Sequence, residues 1–288
     1  MRDLQGECID VSGWPYCGQR WFIKGCDNIG ELSPFLSLAR EDNNGEAGGP
    51  TYGAVCVFKN DGGTWTHDIK LRATTPQENA SFGFSLDVSG DLMIVGSHLE
   101  DIDGDLGNST FEHGAAYIFI FDTDNWDFKE RITAPDAEHM ADFGVSVGIS
   151  GNYAIVGSPL KTVGTVTEAG SAYTFQRSAA NEWHTIAPAV LTLSSPGAGD
   201  WYGWSAAISG DTAMVGAFNR DQLATNDGAA FVYARATANT WELAGTVSPS
   251  GAADNGYFGM AISLDETRAA VGATTPYAVA QGAVYVLN

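Results

Sequence analysis

Basic residues are scarce in this chain: 14 lysines and arginines stand against 35 aspartates and glutamates, a net charge of −21 over 288 residues. So acidic a surface repels a phosphate backbone or an anionic lipid headgroup, which excludes nucleic acid as a partner. Long apolar runs are missing too. None approaches the roughly 20 residues that a spanning helix needs, so no membrane insertion is expected. No segment keeps a helical apolar period for three turns. Cysteine is sparse, with four in all. There is no C-x-x-C and no histidine near the three N-terminal cysteines, which excludes the usual zinc frameworks.

Glycine, by contrast, recurs in register. The stretch 143–175, FGVSVGISGNYAIVGSPLKTVGTVTEAGSAYTF, is the template for most of the chain. Its Phe-Gly position returns as Phe82-Gly83, Phe143-Gly144, Tyr202-Gly203 and Phe258-Gly259. A later glycine heads GAVCVF at Gly53, GAAYIF at Gly114, GSAYTF at Gly170, GAAFVY at Gly228 and GAVYVL at Gly282. Tryptophan then opens a further run at Trp65, Trp126, Trp183 and Trp241. Alternating apolar and polar residues mark these runs as strands, and Ser-Gly-Asp or Ser-Gly-Asn at Ser89, Ser150 and Ser209 marks tight hairpins. Each unit of about 58 residues thus holds four short antiparallel strands, and such a repeat reads as a β-propeller blade.

The expected fold is all-β, a single propeller domain over residues 1–288. Residues 51–288 carry the clear repeats, and 1–50 hold a degenerate first blade. Counting back from Gly53 places the hidden Phe-Gly position at Gly25 or Gly30, and Gly25 sets Leu36-Ser37-Leu38 where Ile-Val-Gly falls elsewhere. A further 18 residues back lies Glu7, so ECIDVSG, residues 7–13, takes the place of a fourth strand. The last unit stops after its third strand, and the N-terminal strand is expected to complete it and close a ring of five blades.

The F-G-x-S element, the V-G-[SA] endings at Val95-Gly96-Ser97, Val156-Gly157-Ser158 and Val215-Gly216-Ala217, and the G-A-x-Y-x-F strand together resemble FG-GAP repeats, the blades of the integrin α-chain head. That resemblance implies a β-propeller in an extracellular or cell-surface setting, with adhesion or ligand binding on one face. Two departures accompany it. Integrin-type propellers have seven blades, and their calcium loops lie in the first hairpin, which here is only SGD, SGN or LDE.

Candidate sites lie where the copies disagree. Between the second and third strands of one unit runs EDIDGDLGN, residues 100–108, whose Asp101, Asp103 and Asp105 have the alternate spacing of a calcium loop. At Trp201, Tyr202 and Trp204, WYGW replaces the sister sequences and offers rings for stacking on a glycan or anchoring a protein. Asn79 and Asn108 head N-glycosylation sequons. Cys8, Cys17, Cys26 and Cys56 allow three disulfide pairings, or remain as thiols. Gly144-Val145-Ser146-Val147-Gly148 matches a nucleophile elbow, but its sisters read GFSLD and GWSAA, so Ser146 reads as a blade serine. No catalytic set recurs, and the expectation is a non-catalytic extracellular module for adhesion or ligand binding, with a protein or glycan partner. The alternatives are a self-assembling structural subunit of a surface coat or filament and a secreted glycan-active hydrolase.

Overall fold

The structure, a computed structural model, describes residues 35–38, 52–61, 64–102, 112–249, 254–274 and 282–287. Eighteen strands and no helix occur among them. They form five antiparallel sheets in chain order, the blades of a β-propeller. Blade one holds β1 (Phe35–Leu38), β2 (Ala54–Asp61) and β3 (Thr64–Leu71). Blade two holds β4 (Leu86–Ser89), β5 (Leu92–Ser97), β6 (Ala115–Asp122) and β7 (Asn125–Ile132). Blade three holds β8 (Ser146–Ser150), β9 (Tyr153–Ser158), β10 (Ser171–Gln176) and β11 (Ala189–Leu191). Blade four holds β12 (Ser205–Ser209), β13 (Thr212–Ala217), β14 (Ala229–Thr237) and β15 (Thr240–Val247), and blade five β16 (Ala261–Leu264), β17 (Ala269–Ala273) and β18 (Ala283–Leu287).

First strands lie side by side, β4 against β8, β8 against β12 and β12 against β16. The apolar core is therefore divided among the spaces between sheets. Between blades one and two, Val55, Val57 and Leu71 meet Phe82, Met93, Val95 and Tyr117. Between two and three, Ile94, Ala116 and Ile118 meet Phe143, Val156, Tyr173 and Trp183. Blades four and five share Met214, Ala230, Phe258 and Val271.

The repeated motifs make these joints. The N–H of each Phe-Gly glycine donates to the carbonyl of the V-G glycine in its own blade, Gly144 to Gly157 at 2.9 Å and Gly203 to Gly216 at 3.0 Å. One blade back, the F-G-x-S serine donates its hydroxyl to the same residue's carbonyl: Ser85 to Gly144 at 2.8 Å, Ser146 to Gly203 at 2.8 Å and Ser205 to Gly259 at 2.6 Å. That carbonyl approaches so closely that a Cβ on Gly96, Gly157 or Gly216 would lie under 3.0 Å from it. These glycines are required by the neighbouring blade, because their own φ is ordinary. Heads of the third strands lock the joint with a parallel bridge to the next Phe-Gly: Gly53 to Phe82, Gly114 to Phe143, Gly170 to Tyr202 and Gly228 to Phe258.

Two expectations need correction. β1 pairs Leu36 with Cys56 as β5 pairs Val95 with Tyr117. Leu36-Ser37-Leu38 therefore stand in the places of Val-Gly-Ser, one residue from the expected Ile-Val-Gly. Strand pairing sets this register, since a slip of one residue exchanges the two faces of a strand. Trp183 opens no strand: β11 begins only at Ala189, behind Pro188, which cannot donate to a ladder. The Trp183 amide instead donates to Glu130 of β7 at 2.8 Å, and its fully buried indole fills the joint between blades two and three. The expected closing strand, residues 7–13, lies outside the described residues.

Candidate functional site

On one face of the blades, the loops between second and third strands meet the connections that lead into the next blade. Blade three's loop is zipped to the connection into blade four: Gly199 N–H donates to Thr167 O, Trp201 to Glu168 and Tyr202 to Ala169. One blade on, Asn255, Tyr257 and Phe258 donate to Thr225, Asn226 and Asp227 in the same way. To alternate so, the connection turns left-handed at two places in each of the four described copies. The second is Ser81 (φ 58°), Asp142 (56°), Trp201 (53°) and Tyr257 (47°). Large side chains rarely adopt this backbone, which costs roughly 1–2 kcal/mol per residue. Trp201 is held there by the zipper.

Trp201 and Trp204 are both half-buried and stacked, with centroids 5.6 Å apart and planes at 21°. Both set an edge against Phe218, at 5.4 and 5.2 Å, and Phe218 is fully buried. The Trp201 indole N–H donates to Glu168 at 3.1 Å. Tyr202 is different. It stands in the Phe-Gly position with no exposed surface, and its hydroxyl meets that of Tyr233 at 2.7 Å. Burial drives its pKa well up. Tyr202 belongs to the blade core, and the surface of WYGW consists of the two indoles.

Residues next in sequence to Trp201 and Phe218 line a polar cleft of about 370 Å³, among them Ser195, Asp200, Asn219, Arg220, Asp221 and Asn226. Arg220 pairs with Asp200 and also donates to the Ser195 carbonyl at 3.2 Å. Asn219 donates to the Gly199 carbonyl at 2.9 Å. Asp227, fully buried, accepts the amides of Gln222 and Leu223, so it shapes the loop. The site of Arg220 is Lys161 in blade three and Glu100 in blade two, and in each the carbonyl takes the N–H of the following third-strand glycine at 2.9 Å. The backbone repeats while the charge does not.

Of the acidic loop, Asp101 is described, and Asp103 and Asp105 lie outside the described residues. Gln77 clamps the Asp101 backbone, donating to its carbonyl at 2.6 Å and accepting its amide at 2.9 Å. The Asp101 carboxylate lies 3.4 Å from His113. Among the described residues no group of three or more His, Cys, Asp or Glu could hold a metal ion. Asn79 is exposed in the connection into blade two, at φ 65°; Asn108, Cys8, Cys17 and Cys26 lie outside the described residues. Cys56 is fully buried on β2.

Sequence reasoning missed Asp142. Burial, with the Glu112 carboxylate nearby, pushes its pKa from 3.8 up to about 7. Its protonated form is the one the fold favours. The resulting stability is fully present below about pH 4 and is lost as pH rises to about 7. Asp142→Asn keeps a side chain that tolerates left-handed backbone and removes the titration. Urea unfolding at several pH values should show the variant gaining on the parent between about pH 4 and 7 and exceeding it at pH 8. An equal pH dependence in both would refute this assignment.

A family model described as FG-GAP repeat matches residues 65–119, 126–175, 188–233 and 241–287. The chain belongs to the FG-GAP repeat family. Each matched segment starts on or near the fourth strand of one blade and ends on the third strand of the next. The repeat unit is thus a joint together with the halves it joins. No curated protein matches the chain. Propellers of this family are generally non-catalytic, and Ser146 fits that pattern: it is buried, with its hydroxyl committed to the Gly203 carbonyl.

Proposed function

We propose that this FG-GAP propeller is a non-catalytic module acting outside the cell or at its surface, where it binds a neutral glycan through Trp201, Trp204 and the adjoining cleft. The observation that carries the reading is the stacked, half-buried indole pair, of which Trp201 stands on left-handed backbone where the other blades place Ser81, Asp142 and Tyr257. Indole faces bind sugar rings by stacking, and the carboxylates, amides and guanidinium of the cleft match hydroxyl groups. The net charge of −21 argues against sulfated or phosphorylated ligands. A calcium ion at Asp101, Asp103 and Asp105, glycans on Asn79 and Asn108, and a disulfide from Cys56 to Cys8, Cys17 or Cys26 belong to the same reading. The last is supported by the complete burial of Cys56 on β2.

An array of neutral oligosaccharides, followed by calorimetry on any hit, tests this. Trp204→Ala is expected to weaken binding at least about tenfold, the loss of roughly 1.4 kcal/mol, measured well below the melting midpoints of both proteins. Equal affinity in parent and Trp204→Ala, or binding only to a protein ligand, would overturn the glycan reading.

A further inference from the structure

The indole pair belongs to blade four, but the carboxylate that holds it comes from blade three. Trp201 and Trp204 lie just before β12, whereas Glu168 lies in the loop between β9 and β10. The Glu168 backbone carbonyl accepts the Trp201 amide at 3.3 Å, and its side-chain Oε2 accepts the Trp201 indole N–H at 3.1 Å. One residue of the neighbouring blade therefore grips Trp201 twice.

The sister joints show what is particular to this one. Two residues before the leading glycine of the third strand stand Glu112, Glu168 and Asn226, and across the joint from them stand Asp142, Trp201 and Tyr257. At the joint of blades two and three the pair is two carboxylates, which repel. At the joint of blades four and five the Asn226 amide donates to Asn255 at 3.1 Å, and the Tyr257 hydroxyl donates to the same oxygen at 3.2 Å. Between blades three and four the loop residue bonds the ring itself. Glu168 stands at φ 53°, where blade four has Asn226 at 50°. Asparagine tolerates this left-handed backbone better than glutamate does. What glutamate adds is a methylene of reach toward the indole.

The indole needs such a hold. Its stack on Trp204, with planes at 21°, and its edge contact with Phe218 fix the plane of the Trp201 ring. They leave two flips within that plane, because the terminal torsion of an aromatic side chain is broad and roughly two-fold. A flip exchanges the five- and six-membered rings, and the acceptor of the N–H selects one of the two. We propose that Glu168 is the positioning residue of the indole platform, so that the ligand site is assembled across the joint of blades three and four and not by blade four alone. The proposal rests on the glycan reading only for what the platform binds. With its N–H committed to Glu168, the Trp201 ring offers a ligand its apolar face, which suits stacking.

Indole N–H resonances of the full chain, with Trp201 assigned by its loss in Trp201→Phe, test the positioning without any ligand. In Glu168→Gln the amide oxygen still reaches, and the Trp201 signal should stay close to its parent position. Glu168→Asn suits the left-handed backbone, as Asn226 does in blade four, but is one methylene short. Its Trp201 signal should move upfield and exchange faster with solvent. Titration with the best-binding member of the neutral oligosaccharide array should show Kd raised about fivefold or more by Glu168→Asn, and within about twofold of the parent for Glu168→Gln. An unmoved Trp201 signal in Glu168→Asn, equal changes in the two variants, or an unchanged affinity beside a moved signal would overturn the proposal. A signal that moves as expected in a chain that binds no oligosaccharide would sustain the positioning and overturn the glycan reading alone.

Discussion

Phe143→Ala is expected to lower the free energy of unfolding by about 3–5 kcal/mol, read from urea denaturation. The Phe143 ring has no exposed surface and presents its edge to Tyr173, at 5.5 Å, and to Phe175, at 6.1 Å. Truncation removes that apolar area and leaves a cavity walled by two separate sheets, Ile94 and Ile118 on one side and Val156 on the other. The backbone on either side is pinned by the bridge to Gly114 and the Gly144 to Gly157 hydrogen bond, so collapse onto the void is restricted. Phe128, on the outer strand β7 and 41% exposed, is the control. Phe128→Ala should cost less than about 1.5 kcal/mol, because much of its area already faces water. Equal effects of the two substitutions would contradict a core placed between blades.

Arg131→Ala should cost a similar amount for an electrostatic reason. The Glu100 side chain is 1% exposed, and Arg131 Nε lies 2.6 Å from its carboxylate. The Tyr117 hydroxyl donates to both carboxylate oxygens at 2.8 Å. Burial raises the Glu100 pKa, and Arg131 and Tyr117 oppose the rise. Removing the guanidinium strands a buried charge, which costs about 3–5 kcal/mol. Without Arg131 the pKa climbs further. Protonation then restores the loss at low pH: the deficit of Arg131→Ala is largest at pH 8 and shrinks as pH falls toward 4. A deficit independent of pH would show that lost packing of the arginine stem, and not the stranded carboxylate, carries the effect. Glu100→Gln with Arg131→Met should recover much of the stability, since the pair is then replaced by groups that need no counter-charge.

Much of this was legible in the residues because a joint leaves a rigid signature. Gly96, Gly157 and Gly216 admit a neighbouring carbonyl where no side chain fits, and Ser85, Ser146 and Ser205 repeat because the acceptor repeats. Those constraints are steric and local, so they survive as spaced letters, and the nucleophile-like Ser146 could be set aside against its sisters. Irregular parts were less legible. Trp183 kept its letter but lost its strand, since Pro188 and the amide bond to Glu130 act through context. Tyr202 was grouped with two tryptophans by adjacency, although it occupies the buried Phe-Gly position. The raised pKa of Asp142 comes from burial first and then from Glu112, surroundings that no spacing rule contains. The polar cleft is likewise built by two separate segments, the connection 195–200 and blade four's loop 219–226, which Asn219 and Arg220 tie together.

Hydrogen exchange of the full chain carrying Gly157→Ala tests the joint account most directly. Gly157 lies on β9, and a Cβ there would collide with the Gly203 carbonyl and the Ser146 hydroxyl. If the family motifs join blades, protection should fall on both sides of the joint, in 146–158 of blade three and in 202–217 of blade four, while β5 and β6 keep theirs. Loss confined to blade three would contradict the account and make each Phe-Gly unit a self-contained blade.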